Sequence, residues 1–303
     1  MIVVIGEVLV DVFPSYERIG GAPFNFAFHL KQLGYPVRFF TRVGNGPKGR
    51  KIIDLLVDKG FNRDDIQRDP HRPTGIVSVA LDDKGVPDFS IRENVAYDRL
   101  ELDRIPSVDI ASINMVYFGS LIQRTAFVHK QVEKFLCQKT LTATRFCDLN
   151  LRPPHIHSKA VDQSLRNTDV LKLSEDEMEY VRRHVLRRNG RKSMPVQELM
   201  ATFDIPMVAL TRGSEGSLFY NDRETPIEQP IVKNVDVMDT VGAGDGFAAI
   251  LAAGFLQQLS WETTLAQASL FSSRICGIPG AIPEDDTFYE DFTIVKKGAK
   301  GGR

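Results

Sequence analysis

Residues 239–246, DTVGAGDG, set a carboxylate among three glycines and an alanine directly before the apolar run FAAILAAGFL. Successive backbone N–H groups at Gly242, Ala243 and Gly244, at a helix start, point into one concavity. Free donors and the helix dipole together make an anion site, and small side chains let a phosphate come close. Asp245 beside that cradle is wrong for simple binding, because a carboxylate repels a phosphate. It is right for taking a proton from a hydroxyl that attacks the phosphate. The spacing asks for a kinase. The plainer alternative is a tight turn whose acid suits the helix dipole.

Such groups need a frame. Short apolar runs alternate with helical patterns along the chain, as in a parallel sheet with crossover helices. Strands are expected at residues 2–5, 37–43, 115–118, 145–149, 170–173 and 207–210, and helices at 24–33 and 51–59. The later strands run into Gly119 and Ser120, Asn150, Ser174 and Thr211. Ligands of doubly wound sheets bind beyond the carboxyl ends of the strands, so these polar ends suggest one extended cleft. Residues 75–98, GIVSVALDDKGVPDFSIRENVAYD, alternate with period two around a turn at 82–85 and read as a hairpin off the main sheet. Together with residues 8–19 it forms a small β-lid, which suits transfer of a group that water would otherwise capture.

Composition sets limits. The 303 residues carry a formal net charge of −1, so no global field favours nucleic acid or an acidic membrane. Cys137, Cys147 and Cys276 lie far apart without a CxxC pair and read as reduced thiols. The chain opens on MIVVIGEVLVDVF, a strand without a basic leader, and no segment approaches membrane-spanning length. A soluble cytoplasmic protein is expected. The tail KKGAKGGR, 296–303, is expected to be disordered.

Three other motifs lose to simpler accounts. GNGPKG, 44–49, fits the dinucleotide pattern GxGxxG, but a strand and a helix precede it and no isolated acid closes a second strand about 20 residues on. No GxxxxGK[ST] occurs. The histidines of HIH, 155–157, lack a third ligand at metal spacing, and the basic stretch 182–192 reads as a solvated helix end and loop.

DTVGAGD resembles the C-terminal signature of the ribokinase-like (PfkB) carbohydrate kinases, and GGAPFNFA, 20–27, with Gly34 and Gly44 after it, resembles the N-terminal one. GEVLVD, DLNLRP, TRGSEGS and GIPGAIP extend the likeness over nearly the whole chain. GGAP, ENVAYD and DLNLRP together are most similar to the bacterial fructokinase branch. The resemblance implies an α/β fold, a three-layer α/β/α sandwich with a small β-sheet lid from about 8–20 and 75–98. One kinase domain would span residues 1–295. It implies ATP and Mg2+ as cofactors, a monovalent cation such as K+, and a homodimer through the lid.

Residue by residue, the resemblance makes Asp245 the general base and the Gly242, Ala243 and Gly244 amides the anion hole. Asp11, Gly21 and Asn25 would hold sugar hydroxyls, and Asn150 and Arg152 would reach the same cleft. Thr211, Gly213 and Gly216 would flank the nucleotide, with Gly280 near the adenine. Glu177 would serve Mg2+, and Asp239 the monovalent cation. Two departures stand out: Ser174 where the family often has Asn, and Ile250 where a small residue is usual. Fructose is the expected acceptor. Ribose, 2-keto-3-deoxygluconate and a nucleoside are the alternatives within the family, and a silent sugar-binding regulator is the alternative outside catalysis.

Overall fold

The computed structural model describes residues 1–81, 87–104, 108–186, 196–222, 225–232, 236–293 and 295. The first half contains β1 (Ile2–Ile5), β2 (Leu9–Val12), β3 (Glu17–Gly20), α1 (Ala22–Gln32), β4 (Val37–Gly44) and α2 (Pro47–Asp58). It continues with β5 (Ile66–Asp69), β6 (Gly75–Leu81), β7 (Pro87–Ile91), β8 (Met115–Phe118), α3 (Ala126–Leu136) and β9 (Thr144–Asp148). Then come α4 (Ser158–Arg166), β10 (Val170–Ser174), α5 (Glu175–Tyr180), α6 (Val196–Phe203), β11 (Met207–Thr211), β12 (Ser217–Tyr220) and β13 (Ile227–Gln229). The chain closes with α7 (Ala243–Leu256) and α8 (Trp261–Cys276).

Strand β1 shows why the molecule has three layers. Its four residues are all buried, as expected for a central strand covered on both faces. Ile2 and Val4 join the apolar layer built with α1, α2, α7 and α8. Val3 and Ile5 join the opposite layer, with α3, α4, α5 and α6. Nine strands in the order β13-β12-β11-β10-β9-β8-β1-β4-β5 make the large sheet. It is parallel from β11 to β5, and β12 and β13 add an antiparallel edge. The carboxyl ends of β1, β8, β9, β10 and β11 therefore open on one side. Helix α7 is buried on all sides from Asp245 to Gly254, which fits its apolar run. No helix among the described residues is long and apolar enough to cross a membrane.

The small sheet has the order β3-β2-β6-β7. Its outer pairs are antiparallel and β2 pairs with β6 in parallel. The lid strands end at Ile91, short of the expected 98, because Val95 and Tyr97 turn back and are buried against the large sheet. The expected turn at 82–85, residues 187–192 of the basic stretch and the tail at 296–303 lie outside the described residues. GNGPKG ends β4 and opens α2, and Gly44 and Gly49 serve close packing there. A Cβ on Gly49 would stand 1.8 Å from the Gly44 oxygen, and one on Gly44 would meet Arg72 O at 2.5 Å. The histidines are spent locally: His157 Nδ1 accepts the Ala160 N–H as the cap of α4, and His155 stands 3.4 Å from Glu93.

Candidate active site

The N-terminal glycines fix the first wall of the site. Pro23 occupies the first turn of α1 and lies where a Cβ on Gly6 would be, 2.1 Å away. Gly21 precedes the helix with φ 118°, and Gly20 leaves room for the Asp11 carboxylate, 2.5 Å from where its Cβ would lie. This double glycine thus lets the lid strands and α1 meet at Asp11. One turn into α1, Asn25 is buried and faces the opposite end of the chain. Its Nδ2 donates to Asp245 Oδ2 at 2.7 Å, and its Oδ1 has no protein partner among the described residues.

The second wall comes from the carboxyl end of β9. Asn150 has φ 46°, a left-handed conformation that Asn tolerates better than most residues. That turn aims its Nδ2 at Asp245 Oδ1, 3.4 Å away. Two amides from distant segments therefore hold both oxygens of one carboxylate. Arg152 follows in the same loop. Its guanidinium donates to Leu151 O at 3.1 Å and has no carboxylate within 4 Å among the described residues.

The cradle is the start of α7. Gly242 is its left-handed N-cap, φ 79°, and a Cβ there would collide with Ala281 at 2.2 Å. The N–H of Ala243 turns back to Thr240 O at 3.3 Å, while those of Gly242 and Gly244 have no protein acceptor among the described residues. Gly242, Gly244 and Asp245 line a cleft of about 810 Å³, and Ala243 does not. Beneath Gly244 lies Lys172, whose Nζ would be 3.1 Å from a Cβ at that position. Lys172 is buried and held by Asp148, with Nζ 3.0 and 3.3 Å from its two oxygens. Burial opposes its charge, but Asp148, Glu177 and Asp245 together hold its pKa above the ordinary lysine value.

The two residues expected near cations have structural partners. Glu177 forms a capping box with Ser174: Ser174 Oγ accepts Glu177 N–H at 3.3 Å, and Glu177 Oε2 accepts Ser174 N–H at 2.8 Å. Its Oε1 accepts Leu151 N–H at 2.7 Å, pinning the Asn150 loop to α5. Asp239 accepts Val241 N–H through Oδ1 and Gly280 N–H through Oδ2, each at 3.0 Å, and Arg18 stands 3.7 Å from Oδ2. Among the described residues no cluster of three or more His, Cys, Asp or Glu is arranged to hold a metal. Mg2+ usually takes one or two carboxylates, phosphate oxygens and water. Glu177, which lines the cleft and carries one hydrogen bond on each oxygen, fits that pattern.

Asp11, Gly21, Asn25, Asn150, Arg152, Thr211, Glu177, Asp239 and Gly280 also line the cleft. Gly213 and Gly216 do not. They shape the β11–β12 turn with φ 53° and 87°, and a Cβ on Gly216 would lie 2.2 Å from Gln229 O. Burial raises the Asp11 carboxyl to about 6, against the pull of Arg152. Glu7, missed in the sequence, lines the same end. Burial raises it to about 7, opposed by its own backbone hydrogen bond and by Arg152 and Arg124. Lys172 was missed as well, though a lysine between Leu171 and Leu173 in a buried strand was a visible signal.

Comparison with known proteins identifies the family and the fold. The model of the pfkB family carbohydrate kinases matches residues 1–287. A Pyrococcus horikoshii protein described as a sugar kinase is 30% identical over 275 residues, covering 85% of this chain and 83% of its own. Its crystal structure superposes with a TM-score of 0.81 over 97% of this chain and 98% of that one. A fructokinase of Vibrio alginolyticus is 25% identical over 273 residues, 86% of this chain and 85% of the relative. A fructokinase of Xylella fastidiosa, solved with bound ATP, has 23% identity and a TM-score of 0.83 over 96% of this chain and 98% of that one; it attests the fold alone. With the family match running from the first strand past the cradle, this chain belongs to the PfkB family of carbohydrate kinases.

Proposed function

We propose that the protein transfers the γ-phosphoryl group of ATP to a hydroxyl of a small sugar, fructose, giving fructose 6-phosphate and ADP. The observation that carries this reading is the pairing of one oriented carboxylate with one anion cradle. Asp245, held by Asn25 and Asn150, stands in the first turn of α7 beside the amides of Gly242 and Gly244.

In this account Asp245 accepts the proton of the sugar hydroxyl as its oxygen forms the new bond to the γ-phosphorus. The bond from that phosphorus to the β,γ-bridging oxygen breaks, and ADP leaves with the electron pair. The cradle amides and the Lys172 ammonium face the negative charge of the transferred group. Asp11 and the free Oδ1 of Asn25 offer acceptors to sugar hydroxyls, and Gly21 keeps the approach open. Thr211 and Gly280 would flank the nucleotide end, where Val241 lines the cleft with exposed apolar surface that a purine would cover. Glu177 would hold Mg2+, which would supply positive charge to the phosphate oxygens. A monovalent cation would lie by Asp239, sharing that carboxylate with Arg18.

Fructose is favoured because the Vibrio alginolyticus relative bears the name fructokinase. A second acceptor, the acid sugar 2-keto-3-deoxygluconate, is favoured by Arg152, whose guanidinium lines the cleft without a carboxylate within 4 Å among the described residues. ADP release with Mg-ATP, measured over fructose, ribose, glucose, 2-keto-3-deoxygluconate, adenosine and fructose 6-phosphate, tests the choice. Highest kcat/KM on fructose supports the assignment. A higher value on another acceptor replaces the substrate, and binding of sugar without ADP release overturns catalysis.

A further inference from the structure

Arg18 belongs to the lid, yet its head lies beside Asp239 and Gly280, next to the turn before α7. It sits on β3 directly opposite Asp11 of β2, so the two side chains share the face of the small sheet that lines the cleft. They diverge from there. The charge that bears on Asp11 is that of Arg152, whereas Arg18 reaches across to the turn before α7. Its Nη1 stands 3.7 Å from Asp239 Oδ2 and would be 2.8 Å from a Cβ on Gly280. The residue after Gly280, Ala281, packs on Gly242, so the guanidinium is one layer from the cradle.

Two further facts bear on its task. Six carboxylates but only four Lys and Arg side chains line the cleft, a poor balance for a polyphosphate. Lys172 is hydrogen-bonded to Asp148, but Arg18 makes no hydrogen bond to any carboxylate among the described residues. Its ion pair with Asp239 is long, its guanidinium lies over the Tyr16 ring at 4.8 Å, and its side chain is 34% exposed. Such a contact holds the group in place and costs little to exchange.

We propose that Arg18 is a catalytic residue carried on the lid, whose guanidinium passes from Asp239 to the oxygens of the phosphoryl group in transfer. It makes and breaks no covalent bond. It supplies positive charge where charge develops, and only when the strand that carries Asp11 is in place over the sugar. Phosphoryl transfer thereby becomes conditional on the lid. This inference rests on the kinase reading above.

The test uses the full chain with Arg18→Met, which keeps length without charge, and Arg18→Lys, which restores a charge without the fork. Calorimetric titration with Mg-ATP and Mg-ADP gives the affinity ratio between them, and steady-state rates give kcat and both KM values. We expect R18M to lower kcat on the order of 10²–10³-fold, the range for loss of one preorganised charge-stabilising donor. We also expect it to narrow the ATP-to-ADP affinity ratio, to leave the sugar KM within about twofold, and to be partly rescued by R18K. An unchanged affinity ratio in R18M overturns the proposal, as does a loss confined to sugar KM or thermal stability. Should the wild type release no ADP with any acceptor, the kinase reading fails on its own, and the ATP-to-ADP ratio still decides whether Arg18 meets the terminal phosphate.

Discussion

Asn25 Nδ2 donates to Asp245 Oδ2 at 2.7 Å, joining two residues 220 positions apart inside the molecule. The bond fixes which way the carboxylate faces, and Asn150 completes it from the other side. Replacing Asn25 by Ala strands a buried carboxylate oxygen, which costs about 1–3 kcal/mol. It also frees the base to rotate. We expect N25A to unfold at lower denaturant and to lose about tenfold in kcat, read from denaturation curves and initial rates. Wild-type kcat in N25A would show that the amide does not orient the base.

Lys172 and Asp148 form a buried pair, exposed by only 8% and 0%. Removing the ammonium alone leaves an uncompensated charge, so K172M is expected to destabilise the fold by about 3–5 kcal/mol. The double variant K172M/D148N carries neither charge and recovers most of that loss. Its kcat is expected to stay at least about tenfold low, because the cradle still lacks its cation. Denaturation and rates on both variants check this. Full activity in the double variant would reduce Lys172 to a counter-ion for Asp148.

Glu7 gives a pH dependence with a definite sign. Its acid is raised from 4.5 to about 7 by burial, so the fold prefers the protonated form. The stability this group allows is full below about pH 4.5 and is lost as pH rises through about 7, above which the charged form dominates. At 1.36 kcal/mol per pKa unit the loss approaches roughly 3 kcal/mol. E7Q is expected to be more stable than the parent at pH 8 and equal to it near pH 4.5, as thermal unfolding at the two pH values will show. Equal stability at pH 8 would contradict the burial of a charge at this position.

Much of this site was legible because its signals are local. A glycine pair before a helix and a glycine cradle before an acid report backbone conformations that only small residues adopt, as φ 118° at Gly21 and 79° at Gly242 show. Strands flanked by polar ends were legible for the same reason: β8 occupies the expected residues, and β9 to β11 fall within one residue of theirs. What stayed hidden is relational. Gly213 and Gly216 shape the turn that follows Thr211, which lines the cleft, and nothing in their residue types says how near that turn comes to a ligand. The short strands β5, β12 and β13 draw their stability from pairing with neighbours rather than from their own pattern. Arg18 and Glu7 were not legible as cleft-lining residues, because burial and cross-strand register, not residue type, bring them there.

The central claim is that Asp245 takes the proton. D245N keeps the size of the side chain and an oxygen for Asn25 to bond, so it isolates the base from the frame. The measurement is kcat for D245N with the best acceptor, alongside titration of Mg-ATP and a denaturation curve. The account predicts folding and ATP binding close to wild type with kcat lower by at least about 10²-fold, the lower edge for loss of a general base. Near-normal turnover, with folding and ATP binding unchanged, would contradict it.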